Sequence, residues 1–241
     1  MRKSVRFTAD SYISTILGEI SSRGLRIDQD PDLTRWRAAI TAAPGNLGAN
    51  ISFDPAHHDL DPGGPHYWLR VTEMDGAAKG RMSACIAFRL IETGKGGWME
   101  WLASGRLFSS RLPPLGRPRL VHPADLNWRG RIGHHGGLWV HPERRGENLP
   151  YLLTHLIRAL SVQRYDVDHH CGLVFDDLRN SRIPLSRDGY GYTRVVLSLV
   201  GFVDAAGKVT QMHTTHIDRR GMDKQIAEGP MAAIEPARAA A

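Results

Sequence analysis

Two arginines, a glycine and an asparagine in "VHPERRGENLPYLLTHLIRAL", residues Val140 to Leu160, lie where a short apolar strand gives way to a long amphipathic helix. A helix start exposes backbone N–H groups and the positive end of its dipole. Such a mouth, set at the carboxyl edge of a sheet, takes an anion such as a phosphate. Arg144 and Arg145 would add charge-assisted bonds, Gly146 would let the backbone come close, and Asn148 would cap the helix or turn left-handed. An ordinary solvated turn reads equally well from these residues alone.

Other residue types invite other chemistry. Glu73, in the strand "HYWLRVTEM", and Asp176 or Asp177, after "CGLVF", are bases able to act through water. The pairs His57-His58, His134-His135 and His169-His170 suggest metal ligation, but neighbours on a strand point to opposite faces, and no HExxH or Cys-x-x-Cys accompanies them. Cys85 and Cys171 each sit in an apolar run and read as small buried thiols. No G-x-S-x-G elbow is present.

The elements that must position these groups follow from the pattern. The chain has 241 residues, 41% hydrophobic and 23% charged, enough for a real core. Helical spacing of Tyr12, Ile13, Ile16, Leu17 and Ile20 predicts a helix over 9–23, and a second starts near Pro31. "HYWLRVTEM" and "GRMSACIAFRLIE" predict a hairpin, "GGWMEWLASGRLF" a helix, and "SSRLPPLGRPRL" an irregular loop. Trp98, Trp101, Leu102 and Phe108 read either as a lid over an acceptor groove or as core, and Trp98 and Trp101 are expected to pack on the sheet. "HHGGLWVHP", the helix after it and "CGLVFDD" form a strand–helix–strand unit, which predicts a parallel crossover within a mixed sheet. "RVVLSLVGFV" and "KVTQMHTTHI" form a last hairpin. One domain is expected over 1–220, with an insertion at about 94–130, and composition predicts a disordered tail over 221–241.

No apolar run is long enough to cross a membrane, and "MRKSVRFTADSY" lacks the apolar core of a signal peptide, so a cytoplasmic protein is expected. The net charge of +6 favours an anionic partner. The basic residues are scattered rather than blocked, which argues against nucleic acid as the main ligand.

"VHPERRGENLPYLL" resembles the acyl-CoA-binding segment of the GNAT superfamily, N-acyltransferases that use acetyl-CoA. In that family a strand ending Val-x-Pro precedes a turn Arg/Gln-x-x-Gly-x-Gly/Ala and a long helix. Val140 and Pro142 match, Arg145 falls on the Arg/Gln position, and Leu149 and Leu153 on apolar helix positions. Asn148 stands where the first signature Gly is usual, and Pro150 where Gly or Ala is. Downstream, Asn180 and Gly191 keep the family spacing, with Tyr192 for the usual Phe and Arg187 for the Tyr that protonates the departing thiolate. Tyr190, three residues on, is the candidate for that acid role.

The resemblance implies an α/β fold: a mixed, mostly antiparallel sheet with a central parallel splayed pair and helices on both faces. It implies transfer of acetyl from acetyl-CoA to an amine by direct attack. The strand backbone of Leu138, Trp139 and Val140 would hold the pantetheine arm. Arg144, Arg145, Gly146, Glu147, Asn148 and Leu149 would hold the pyrophosphate, with Asn180 beside the cofactor. Tyr190 and Glu73 are the expected acid and base, and no metal site is expected. The acceptor amine stays open, a homodimer is one option for assembly, and the competing functions are a non-catalytic module of the same fold and a basic nucleic-acid binder.

Overall fold

Thr8 opens the first helix, α1 (Ala9–Ser21), with a reciprocal cap: its hydroxyl accepts the Ser11 N–H, and its own N–H donates to the Ser11 hydroxyl at 2.9 Å. Such a cap is worth about 1 kcal/mol. The spacing read from the sequence buries Tyr12, Ile13, Ile16 and Ile20. Gly24, at φ 72°, turns the chain into β1 (Leu25–Asp30), a strand that the sequence reading did not anticipate. It is an edge strand with only Leu25 fully buried, so its polar residues hide the alternation. Asp32 then caps α2 (Leu33–Thr41), accepting from the Thr34 N–H.

The computed structural model describes residues 7–46, 48–60, 64–110, 119–121, 126–175, 185, 190–203 and 209–230. After α2 come β2 (His66–Glu73) and β3 (Met82–Glu92), the expected hairpin, then a short α3 (Gly97–Ala103) and a two-residue β4 (Arg119–Leu120). Next are β5 (Arg131–Val140), α4 (Leu149–Tyr165) and β6 (His169–Phe175), then the hairpin β7 (Arg194–Val203) and β8 (Val209–Asp218), and α5 (Arg219–Glu228). The strands lie in the order β1-β2-β3-β5-β6-β8-β7-β4. β5 and β6 are parallel and every other pairing is antiparallel. This is the mixed sheet with a central parallel pair that the resemblance implied.

The sheet has a core on each side. Ile86, Phe88 and Tyr67 join α1 and α4 in one. On the other side Trp36, Phe53 and Trp139 form a cluster with α2, and Trp98, Leu107 and Ile132 form one with α3. Trp98 packs as expected. α4 departs from its one-sided reading: Tyr151 through Val162 are all buried, because α1 and α5 pack onto it as well as the sheet.

The tail expectation is corrected at α5. Asp218 caps it by accepting from the Gly221 N–H at 2.8 Å, and Met222 and Ile226 are buried one turn apart. Two apolar residues in a polar helix were too few to read as periodicity. The expected short helix before Tyr190, with Arg187, and the candidates Asp176, Asp177 and Asn180 lie outside the described residues.

Candidate functional site

The parallel pairing of β5 with β6 runs over only four residue pairs, from Ile132↔His169 to His135↔Gly172. Both strands continue, yet β5 then follows β3 (Ala84↔Val140), while β6 follows β8 (Phe175↔Met212). The two part company, leaving a forked opening whose facing strand edges pair with no other strand among the described residues. Leu138 and Phe175, two of the few large apolar side chains left exposed, are on the two strands beyond the fork.

Gly136 and Gly137 explain why β5 bends there. The β3–β5 register slips between Cys85 and Ala87, opposite these glycines. A Cβ on Gly136 would come within 2.6 Å of the Phe53 ring, and one on Gly137, at φ 59°, within 2.4 Å of Trp36. Two glycines inside a strand were the available sign of a bulge, and the sequence reading passed over it.

Beyond Val140 the chain makes a short 3-10 turn (Pro142–Arg144) and reaches α4. Gly146 has φ 94° and Asn148 φ 59°, so both take the left-handed conformation and fold the loop over the helix mouth. Asn148 supplies its carbonyl to the Tyr151 and Leu152 N–H groups rather than a side-chain cap. The backbone N–H groups of Gly146 and Leu149 meet no acceptor among the described residues. Pro150 has no N–H to offer.

The two arginines have different duties. Arg144 donates from Nε to Glu73 at 2.9 Å, from Nη2 to the other Glu73 oxygen, and from Nη1 to Glu147 at 3.0 Å. It is held between two carboxylates. Arg145 is exposed and has no carboxylate partner among the described residues. Among the described residues, the cation left without a carboxylate at the helix mouth is therefore Arg145.

Glu73, the expected base, is held as a paired carboxylate. Its carboxylate is buried, gripped by Arg144 and receives the Ser83 hydroxyl at 2.5 Å. Arg144's hydrogen bonds hold it down to about 2 against an ordinary 4.5. A carboxylate so stabilised accepts a proton poorly at neutral pH. It anchors the turn to the end of β2.

Tyr190 lies against the first core, its ring 5.9 Å from that of Tyr151 in the first turns of α4. Its carbonyl accepts from Arg158 Nη2 at 3.0 Å. Burial pushes its hydroxyl up to about 12, so it stays protonated at neutral pH. Among the cofactor candidates, Trp139 turns its side chain into the α2 core, donating to the Pro44 carbonyl at 3.3 Å, and Leu149 is fully buried. Those two have only backbone to offer.

His134 and His135 point to opposite faces of the sheet. His135 stacks on His170 at 4.6 Å and accepts or donates with the Tyr192 hydroxyl at 2.8 Å, while His134 stacks on Phe53 on the other face. Among the described residues no three His, Cys, Asp or Glu side chains gather closely enough for a metal ion.

No family model and no curated protein sequence matches the chain. Among solved structures it is similar to Arabidopsis thaliana NAA60 in complex with acetyl-CoA, at 12% identity and TM-score 0.45, covering 80% of this chain and 99% of that one. It is similar to the NatC complex bound to Gag peptide and CoA, at 11% identity and TM-score 0.45, over 80% of this chain and 98% of that one. It is also similar to the spermidine/spermine N-acetyltransferase SpeG from Vibrio cholerae, at 11% identity and TM-score 0.45, over 83% and 96% of the two chains.

Proposed function

We propose that the chain is an N-acetyltransferase that moves an acetyl group from acetyl-CoA to an amine. The observation that carries this is the fork between β5 and β6 leading into a left-handed turn with an exposed arginine that meets no carboxylate among the described residues. An unpaired strand edge suits the amides of a pantetheine arm, and the turn suits a pyrophosphate. The two are consecutive in the chain, from Leu138 to Leu149, so one extended donor spans both.

Held at the fork, the thioester carbonyl is open to a neutral amine. The C–N bond forms, the C–S bond breaks, and the amine's proton leaves through water. Tyr190 is the proposed donor of a proton to the departing thiolate, supported by its protonated state and its place beside the first turns of α4. Positioning supplies most of the acceleration: an oriented encounter is worth several kcal/mol, on the order of 7 or more in favourable cases. No metal is required for this chemistry.

A second reading, a module that binds without transferring, is favoured by Glu73 being unavailable as a base. Isothermal titration with acetyl-CoA tests the donor site, using Arg145→Ala/Gly146→Pro as the comparison. Micromolar binding lost in the double variant is the expected result. Binding without turnover over a panel of amines would select the second reading, and no binding at millimolar donor would overturn both.

A further inference from the structure

Arg89 is a buried cation that the proposed transfer does not use. It projects from β3, in register with His134 of β5, on the α2 side of the sheet. Only 7% of it is exposed. Its Nη1 donates to the Ser52 carbonyl at 2.6 Å and meets His58 Nε2 at 3.1 Å. No carboxylate pairs with it among the described residues, where Asp54 is taken by Arg37 and Glu100 by Arg106. Nature rarely buries a charge without a partner.

The arrangement says what kind of partner is missing. Nη1 is tied to the 51–58 loop, and that fixes the guanidinium plane. The Nε–Nη2 edge meets no acceptor among the described residues. This is the edge that forms two parallel hydrogen bonds with a planar carboxylate. One wall is Trp101, whose ring lies 6.0 Å from the Arg89 guanidinium and carries Arg106 at 4.6 Å. Phe53, stacked on His134 and in contact with Gly136, forms a second wall that runs from the level of Arg89 toward the fork. Arg106 is already paired with Glu100, so Arg89 is left to balance one negative charge, which fits a carboxylate better than a phosphate dianion.

We infer that Arg89 is the anchor of a carboxylate-binding site, and that the acceptor is an amine that also bears a carboxylate. Arg89 is level with His134, two residues before β5 leaves β6 at Gly136, about 7 Å along the strand. A small molecule held there by its carboxylate has its amine within reach of the fork. The acceptor assignment rests on the acetyl-transfer reading, whereas carboxylate binding does not.

The test therefore has two arms on the full chain. Without acetyl-CoA, titration with sodium propionate is compared with propionamide and with sodium chloride at equal ionic strength. Propionate alone is expected to bind and raise the melting temperature. Arg89→Gln should abolish the response, and Arg89→Lys, which keeps the charge but not the two-pronged edge, should weaken it at least tenfold. With acetyl-CoA, kcat/KM for β-alanine should exceed that for β-alaninamide at least tenfold, and Arg89→Lys should bring the ratio close to one. A wild-type response to propionate no greater than to chloride, or an equal response in folded Arg89→Lys, overturns the site. Propionate binding with no acetylation of any amine would sink the transfer reading and leave the site standing.

Discussion

Arg144 and Arg145 are neighbours with the same charge, and what separates them is a glutamate 71 residues earlier in the chain. Glu73 and Glu147 hold Arg144 in place and so brace the turn from within the protein. The sign of the pH dependence follows from Glu73. Its folded pKa is depressed, so its contribution is complete above the unfolded value near 4.5 and is lost as pH falls towards about 2. Glu73→Gln should remove that acid limb from a stability-against-pH curve. It should also cost about 1–3 kcal/mol at neutral pH, since Arg144 is only partly solvated once its partner is gone. Denaturant unfolding at pH 7 and pH 3 measures both. If Glu73 were the catalytic base, kcat would collapse; as an anchor of the turn, its loss should act chiefly on the KM for acetyl-CoA. Gly137 is equally constrained: Gly137→Val would drive a branched side chain into Trp36 at positive φ, and a loss of about 3 kcal/mol or more is expected.

At the scale of elements, the sequence was a good guide wherever apolar spacing was strong. α1, the β2–β3 hairpin, α4 and the β7–β8 hairpin each have enough apolar residues to show their period. It was a poor guide where partners are distant or few. β1 is polar because it is an edge, and α5 buries only Met222 and Ile226. The helix mouth was legible because Arg-Gly-x-Asn is a local motif. The fork was not, since divergence is a relation between two strands and shows only in their separate registers with β3 and β8. Glu73's partner and the buried isolation of Arg89 were hidden for the same reason. Pro150 offers a test of α4 as an element. It sits in the first turn, where proline is tolerated but gives no N–H. Pro150→Ala should restore a donor and tighten acetyl-CoA by up to about tenfold, roughly 1.4 kcal/mol. Titration of both proteins checks this, and unchanged affinity would mean that the pyrophosphate does not reach this turn.

Across the whole molecule, the helix that opens at the proposed donor site is also the one on which the first and last described helices pack. α1 packs on α4 near its middle, where the Tyr12 hydroxyl meets His155 Nδ1 at 2.6 Å. α5 packs on it further along, where Gln225 accepts from Arg158 Nη1 at 2.7 Å. Arg158 also holds the Tyr190 carbonyl, and Gln225 donates to the Gly191 carbonyl at 2.6 Å. The Phe7 N–H reaches the Ala227 carbonyl, so both ends of the described chain close over the same helix. Position of the proposed acid therefore depends on a helix that composition alone assigned to a disordered tail. Met222→Ala with Ile226→Ala should remove about 4 kcal/mol or more of stability, given roughly 2–5 kcal/mol for each buried aliphatic truncation. For a chain of this size that is a fall of about 10 °C in Tm. Gln225→Ala probes the same link without emptying the core. It should leave Tm within a few degrees and acetyl-CoA binding intact, yet speed hydrogen exchange at Gly191 and Tyr192 and lower kcat. If exchange there does not change, the Tyr190 segment is held by its own packing, and α5 serves stability alone.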